Sequence, residues 1–109
     1  MKFEYVPVDK LSETFNELLQ QAEDSPNGKQ ILSTCLGIGR FLMEKNRAYG
    51  DSALNPLRVF SKADPIEQIR VRIDDKLSRM SRGQLAGEDA ELDMLGYLIL
   101  LFTAQNKGA

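Results

Sequence analysis

Histidine is absent from this 109-residue sequence, and cysteine occurs once. The first absence argues against imidazole chemistry: Ser-His-Asp arrangements, His-based acid–base work and the usual zinc sites. A metal in this chain would be a hard cation held by carboxylates. The single Cys35 excludes an intrachain disulfide. It lies in the apolar run Ile31-Leu32-Ser33-Thr34-Cys35-Leu36, with no histidine to activate it, and reads as a buried structural thiol. Charge of one sign is also scarce: 14 basic against 16 acidic side chains leave a net charge of −2. No global field recruits nucleic acid, although a local basic patch can still bind phosphate. Long hydrophobic runs are missing too. The longest, residues 94–102, is too short to span a bilayer and reads as a buried helix. Residues 1–8 have neither the apolar core nor the cleavage site of a secretory signal. The expectation is a cytoplasmic protein with no membrane partner and no strong nucleic-acid signal.

What is present suits one globular domain. The length leaves little room for two, and 42% hydrophobic with 28% charged residues is an ordinary balance. The fold class expected is all-α: a compact four-helix domain over 9–105, an extended arm at 1–8 and a frayed tail at 106–109. Pro7 demotes the arm from a central strand to an edge strand or extended segment, and it carries Phe3 and Tyr5. Asp9 or Ser12 can cap a first helix to about Glu23, with Leu11, Phe15, Leu18 and Ala22 on one face. Asp24-Ser25-Pro26-Asn27-Gly28 breaks it. A second helix spans about 29–49. Its Gly37 and Gly39 either mark the close approach of another helix or are simply tolerated. Residues 50–64 form a long connection, a length that is often functional. Asp64-Pro65 then starts a third helix to about Ser81, with a buried line of Ile66, Ile69, Ile73, Leu77 and Met80. Gly83 and Gly87 flank the next break. A fourth helix, about 88–105, is apolar nearly all round and reads as the central helix of the bundle.

The candidate site is a mixed-charge constellation. Asp89, Asp93 and Tyr97 are four apart and share a stripe of the fourth helix. Helix-dipole complementation explains Glu88 and Asp89 in the first turn. It explains Asp93 poorly, because a carboxylate entering the apolar body needs a partner. Arg72, Asp75, Lys76 and Arg79 form a stripe on the third helix, opposite the Ile73/Leu77 line. Arg40, Glu44 and Arg47 mark the end of the second. They run into Lys45-Asn46-Arg47-Ala48-Tyr49-Gly50-Asp51-Ser52, where Gly50 suits a left-handed helix cap and Tyr49 suits stacking on a base or plugging the bundle. Three readings stand: a solvated, self-paired surface; a buried ion-pair network between helices three and four; or carboxylates holding magnesium beside basic residues holding phosphate.

Those residues also carry a resemblance. The block 45–52, then Val71-Arg72-Ile73-Asp74-Asp75-Lys76-Leu77-Ser78-Arg79, then Glu88-Asp89-Ala90-Glu91-Leu92-Asp93-Met94-Leu95-Gly96-Tyr97 resemble the phage-enriched nucleotide-modification-associated domain family. That family is similar to the MazG-like all-helical nucleotide pyrophosphohydrolases. The resemblance covers about residues 40–103 and rests on three blocks in order. It implies a phage-type nucleotide-handling protein. If it is an enzyme, Asp75, Glu88, Asp89 and Asp93 would hold magnesium, which binds the triphosphate and activates water. Arg72, Lys76 and Arg79 would hold phosphate, Tyr49 with the 50–64 loop would hold the base, and Arg40, Glu44, Lys45, Arg47, Asp51 and Tyr97 would complete the ligand site. The glutamate-rich first motif of such enzymes is missing here, and no residue is assigned as catalytic. The alternatives are sequestration of a cyclic di- or oligonucleotide signal of host anti-phage defence, or a structural or protein-binding module. A homo-oligomer is expected, because so small a domain gains core by pairing.

Overall fold

The computed structural model describes residues 1–84, 87 and 89–107. Among them the chain is all-α: a 3-10 turn at Val8–Lys10, then α1 (Leu11–Glu23), α2 (Gly28–Ala48), α3 (Pro65–Ser81) and α4 (Ala90–Lys107), with no strand. Two units divide it, Met1–Phe41 and Leu42–Ala109. Glu88, where the fourth helix was expected to start, and residues 108–109 of the expected frayed tail lie outside the described residues.

In the first unit, residues 1–7 are an irregular arm on which the Phe3 and Tyr5 rings meet edge to face, 5.1 Å apart. Neither expected cap is used. Asp9 falls inside the 3-10 turn closed by the Lys10 N–H on the Pro7 carbonyl at 2.9 Å, and Lys10 takes the N-cap position with no side-chain bond. Gly28 opens α2 against the end of α1. A Cβ there would lie 2.7 Å from the Ala22 Cα and 2.9 Å from its carbonyl oxygen. Ala22 is buried, whereas Leu11, Phe15 and Leu18 are exposed. Ile31, Cys35 and Leu36 on α2 are exposed as well, which corrects the expectation of a buried thiol. Within the described residues of the first unit, a Cβ at Gly37 or Gly39 would meet nothing within 4 Å, so no close helix approach there accounts for them.

In the second unit, both loop-entering helix ends follow one device. Gly50 sits at φ +62°. Its N–H donates to the Arg47 carbonyl at 3.3 Å, and the Asp51 N–H donates to the Asn46 carbonyl at 3.0 Å. After α3, Gly83 at φ +70° and Gln84 repeat the pair on Met80 and Arg79. Both are Schellman caps, in which glycine takes the left-handed position and satisfies the last free carbonyls. Open space surrounds each glycine. Gly50→Ala and Gly83→Ala are therefore each expected to lose about 1 kcal/mol for conformation alone. Urea denaturation checks this, and two variants as stable as the parent would contradict it.

The sequence reading of α3 holds at its start: Pro65 opens the helix and the Asp64 carboxylate accepts the Glu67 N–H at 2.9 Å, a cap worth about 1 kcal/mol. α3 and α4 run antiparallel. The beginning of α3 (Pro65, Ile66) shares a groove with Ala104 near the end of α4, and Lys76 meets Asp93 near the other end. Ile69 is the fully buried side chain of this pair, and Ala104 is buried on α4. Leu77, expected in the core, is 52% exposed. Ile69, Ile73, Lys76 and Met80 fall within an arc of about 60° around the helix, and Leu77 lies about 40° outside it. On α4, Gly96 and Ala104 are buried, but Leu95, Leu98, Ile99 and Phe102 on the other side are 36–48% exposed. The helix is apolar nearly all round after its first turn, as expected, and within the second unit it buries the Gly96/Ala104 side. No helix among the described residues is long and apolar enough to cross a membrane.

Candidate functional site

The first turn of α4 is organised by Asp89. Its carboxylate accepts the Leu92 N–H at 3.1 Å, and its carbonyl accepts the Asp93 N–H at 3.0 Å. Asp89 thus works as the helix cap, where a negative charge also complements the helix dipole. One turn later, Asp93 lies at the boundary of the apolar body, its side chain 24% exposed. Its Oδ2 accepts a hydrogen bond from Lys76 Nζ at 3.1 Å, and its Oδ1 lies 3.7 Å from Lys45 Nζ.

The two lysines are not equivalent. The Lys76 side chain is 7% exposed, and that of Lys45 is 45% exposed. A shielded ion pair keeps its attraction, whereas an exposed one is screened to a fraction of a kcal/mol. Lys76–Asp93 is therefore the stronger pair, and Lys45 is the more exposed third member. Lys45 reaches Asp93 because α2 comes close to α4 at Gly96. A Cβ on Gly96 would sit 3.0 Å from Leu42 Cδ2. Gly96 is thus the close-approach glycine of the second unit among the described residues, as Gly28 is of the first.

The candidate residues separate into those gathered here and those directed elsewhere. Lys45, Lys76 and Asp93 meet. Tyr97, one turn along α4, and Arg79, one turn along α3, are half-buried. Arg72 is exposed, one turn before Lys76. Lys76 itself departs from the stripe expected opposite the Ile73/Leu77 line and lies among the α3 residues that pack on α4. Asp75 is about 100° further round α3 and exposed. Arg40, Glu44 and Arg47 are exposed, between about 100° and 160° round α2 from Lys45, so they share a face with each other and not with Asp93. Tyr49 is 67% exposed at the end of α2. Asp51, at φ +64°, accepts a bond from the Asn55 amide and shapes its own loop. Glu88 lies outside the described residues. Among the described residues, no three His, Cys, Asp or Glu side chains gather as a metal site.

A second opening was not anticipated. A groove of about 480 Å³ lies at the other end of the α3–α4 pair, lined by Asn55, Pro65, Ile66, Arg70 and Lys107 among others. The long 50–64 connection was the available signal, since Leu54 and Asn55 form one wall. Arg70 there is paired with Glu67.

No protein-family model, curated protein or solved structure matches the chain. The chemistry must be read from the site itself. Two ammonium groups on one carboxylate, with a guanidinium one turn away, favour an anion with several acceptor oxygens. The carboxylates are committed differently: Asp89 to backbone and Asp93 to lysines.

Proposed function

We propose that this chain binds a phosphorylated nucleotide at the Lys45–Lys76–Asp93 junction and does not turn it over. The observation that carries the reading is the convergence of two lysines from different helices on a single carboxylate. Lys76 stays with Asp93, while the half-exposed Lys45 ammonium turns to a phosphate. Arg79 extends the cationic stripe, and Tyr97 supplies an aromatic ring one turn beyond Asp93. The role that suits binding without turnover is sequestration of a nucleotide signal, a cyclic di- or oligonucleotide, by a phage-type protein. A magnesium-dependent pyrophosphohydrolase is the competing use of the same residues.

Calorimetry against nucleoside triphosphates and cyclic dinucleotides, with magnesium and with chelator, separates them. Binding of at least one ligand in chelator, with the ligand recovered intact, is expected. Lys45→Ala should weaken it about tenfold, which is about 1.4 kcal/mol, and barely move the melting temperature. No heat with any ligand would remove the proposal, and conversion of a triphosphate to monophosphate in magnesium would replace it with the enzymatic one.

The burial of Lys76 favours a second reading, a structural or protein-binding helical module in which the junction is purely an ion-pair node. Lys45→Ala and Asp93→Asn would then change stability and no ligand titration.

A further inference from the structure

The groove at the start of α3 and the end of α4 is built wholly from residues of the second unit. Its volume of about 480 Å³ lies in the range of small-molecule sites, about 300–1,000 Å³. Leu54, Pro65, Ile66 and Ala104 give it an apolar lining, and Ala104 is itself buried. The polar groups around that lining divide into spent and unspent. Asp64 accepts the Glu67 N–H at 2.9 Å, and the Glu67 carboxylate accepts from the Arg70 guanidinium. The Asn55 amide donates to Asp51. The Lys107 ammonium, by contrast, has no hydrogen bond or ion pair among the described residues, and Arg70 keeps guanidinium N–H groups beyond the one given to Glu67. The groove therefore has its carboxylates engaged and its cationic donors to spare.

We propose that this groove binds a small organic acid, a single carboxylate on a short apolar body. The body lies against Leu54, Ile66 and Ala104, and the carboxylate takes the charge-assisted hydrogen bonds that Lys107 and Arg70 have left to give. An amine of the same shape finds no such match, because Asp64 and Glu67 already serve the helix cap and Arg70. A polyphosphate is excluded by the same two carboxylates, since each added negative charge is set against them. The ligand is thus of a different class from the nucleotide proposed at the Lys45–Lys76–Asp93 junction, and the two sites stand or fall separately.

The probe is 4-phenylbutyrate, with 4-phenylbutyramide and 4-phenylbutylamine as its neutral and cationic counterparts. Titrated into the full chain, the acid should move the amide signals of Leu54, Ile66, Ala104 and Lys107 saturably, with a Kd of about 1 mM for a ligand of this size. The neutral amide and the amine should each bind at least about fivefold more weakly. Lys107→Gln removes the charge from the exposed last residue of α4, so the fold stays intact, and the acid should bind about fivefold more weakly. Any of three results overturns the proposal: no saturable shift at about 10 mM acid, equal affinity for the three compounds, or a Lys107→Gln chain that binds the acid as tightly as the parent.

Discussion

Asp93→Ala is expected to lower the unfolding free energy by about 3 kcal/mol, the low end of what removing one partner of a buried ion pair costs. For a domain of this size that lowers the melting temperature by more than about 10 °C. The cost arises at Lys76, whose ammonium is shielded from water and loses the carboxylate at 3.1 Å. It sits at the low end because the Asp93 side chain keeps 24% of its exposure. Removing both partners is cheaper than removing one, since an apolar pair of similar volume carries no desolvation cost. Lys76→Met with Asp93→Leu should therefore recover most of the loss. Thermal and urea melts of the two single variants and the double variant give the coupling directly. Additive losses would mean that the pair contributes nothing.

Gly28→Ala is expected to cost about 2 kcal/mol, in the range of overpacking a tight contact. The new methyl would meet the backbone of Ala22 at 2.7 Å. Backbone has no rotamer to yield, so the α1–α2 turn must open. Gly37→Ala is the matched control. It adds the same methyl to the same helix in open space, and helix propensity then favours the variant by up to about 1 kcal/mol. Circular dichroism melts compare the two, and equal shifts of the same sign would refute the turn geometry.

The parts of the fold legible in the sequence were those written in local chemistry. Asp64-Pro65 located the start of α3 because an acidic cap and a ring-locked φ act over three residues. Gly50 announced the end of α2 because its left-handed backbone excludes most other residues. Tertiary placement was less legible. Lys76 looked like part of a polar stripe because a lysine in a helical pattern is usually solvated. Its spacing, three after Ile73 and four before Met80, already put it on the core line, and that was the signal to follow. Leu77, one residue on, was moved out of the core by the same rotation. Cys35 was read as buried from its apolar neighbourhood, but hydrophobicity alone does not supply the surface that covers it. The candidate site was legible at its centre, where Asp93 demanded a partner. Its outer members were not, because Arg40, Glu44 and Arg47 lie far round α2 from Lys45, and adjacency in sequence disguised the division.

Amide chemical-shift mapping by NMR, titrating the full chain with the nucleotide that calorimetry selects, tests the junction most directly. The largest shifts should fall at Lys45, Lys76, Asp93 and Tyr97, and in Lys45→Ala they should need about tenfold more ligand to reach half their full size. Shifts centred on Asn55, Arg70 and Lys107 in the far groove, with Lys45 and Asp93 silent, would contradict binding at the junction.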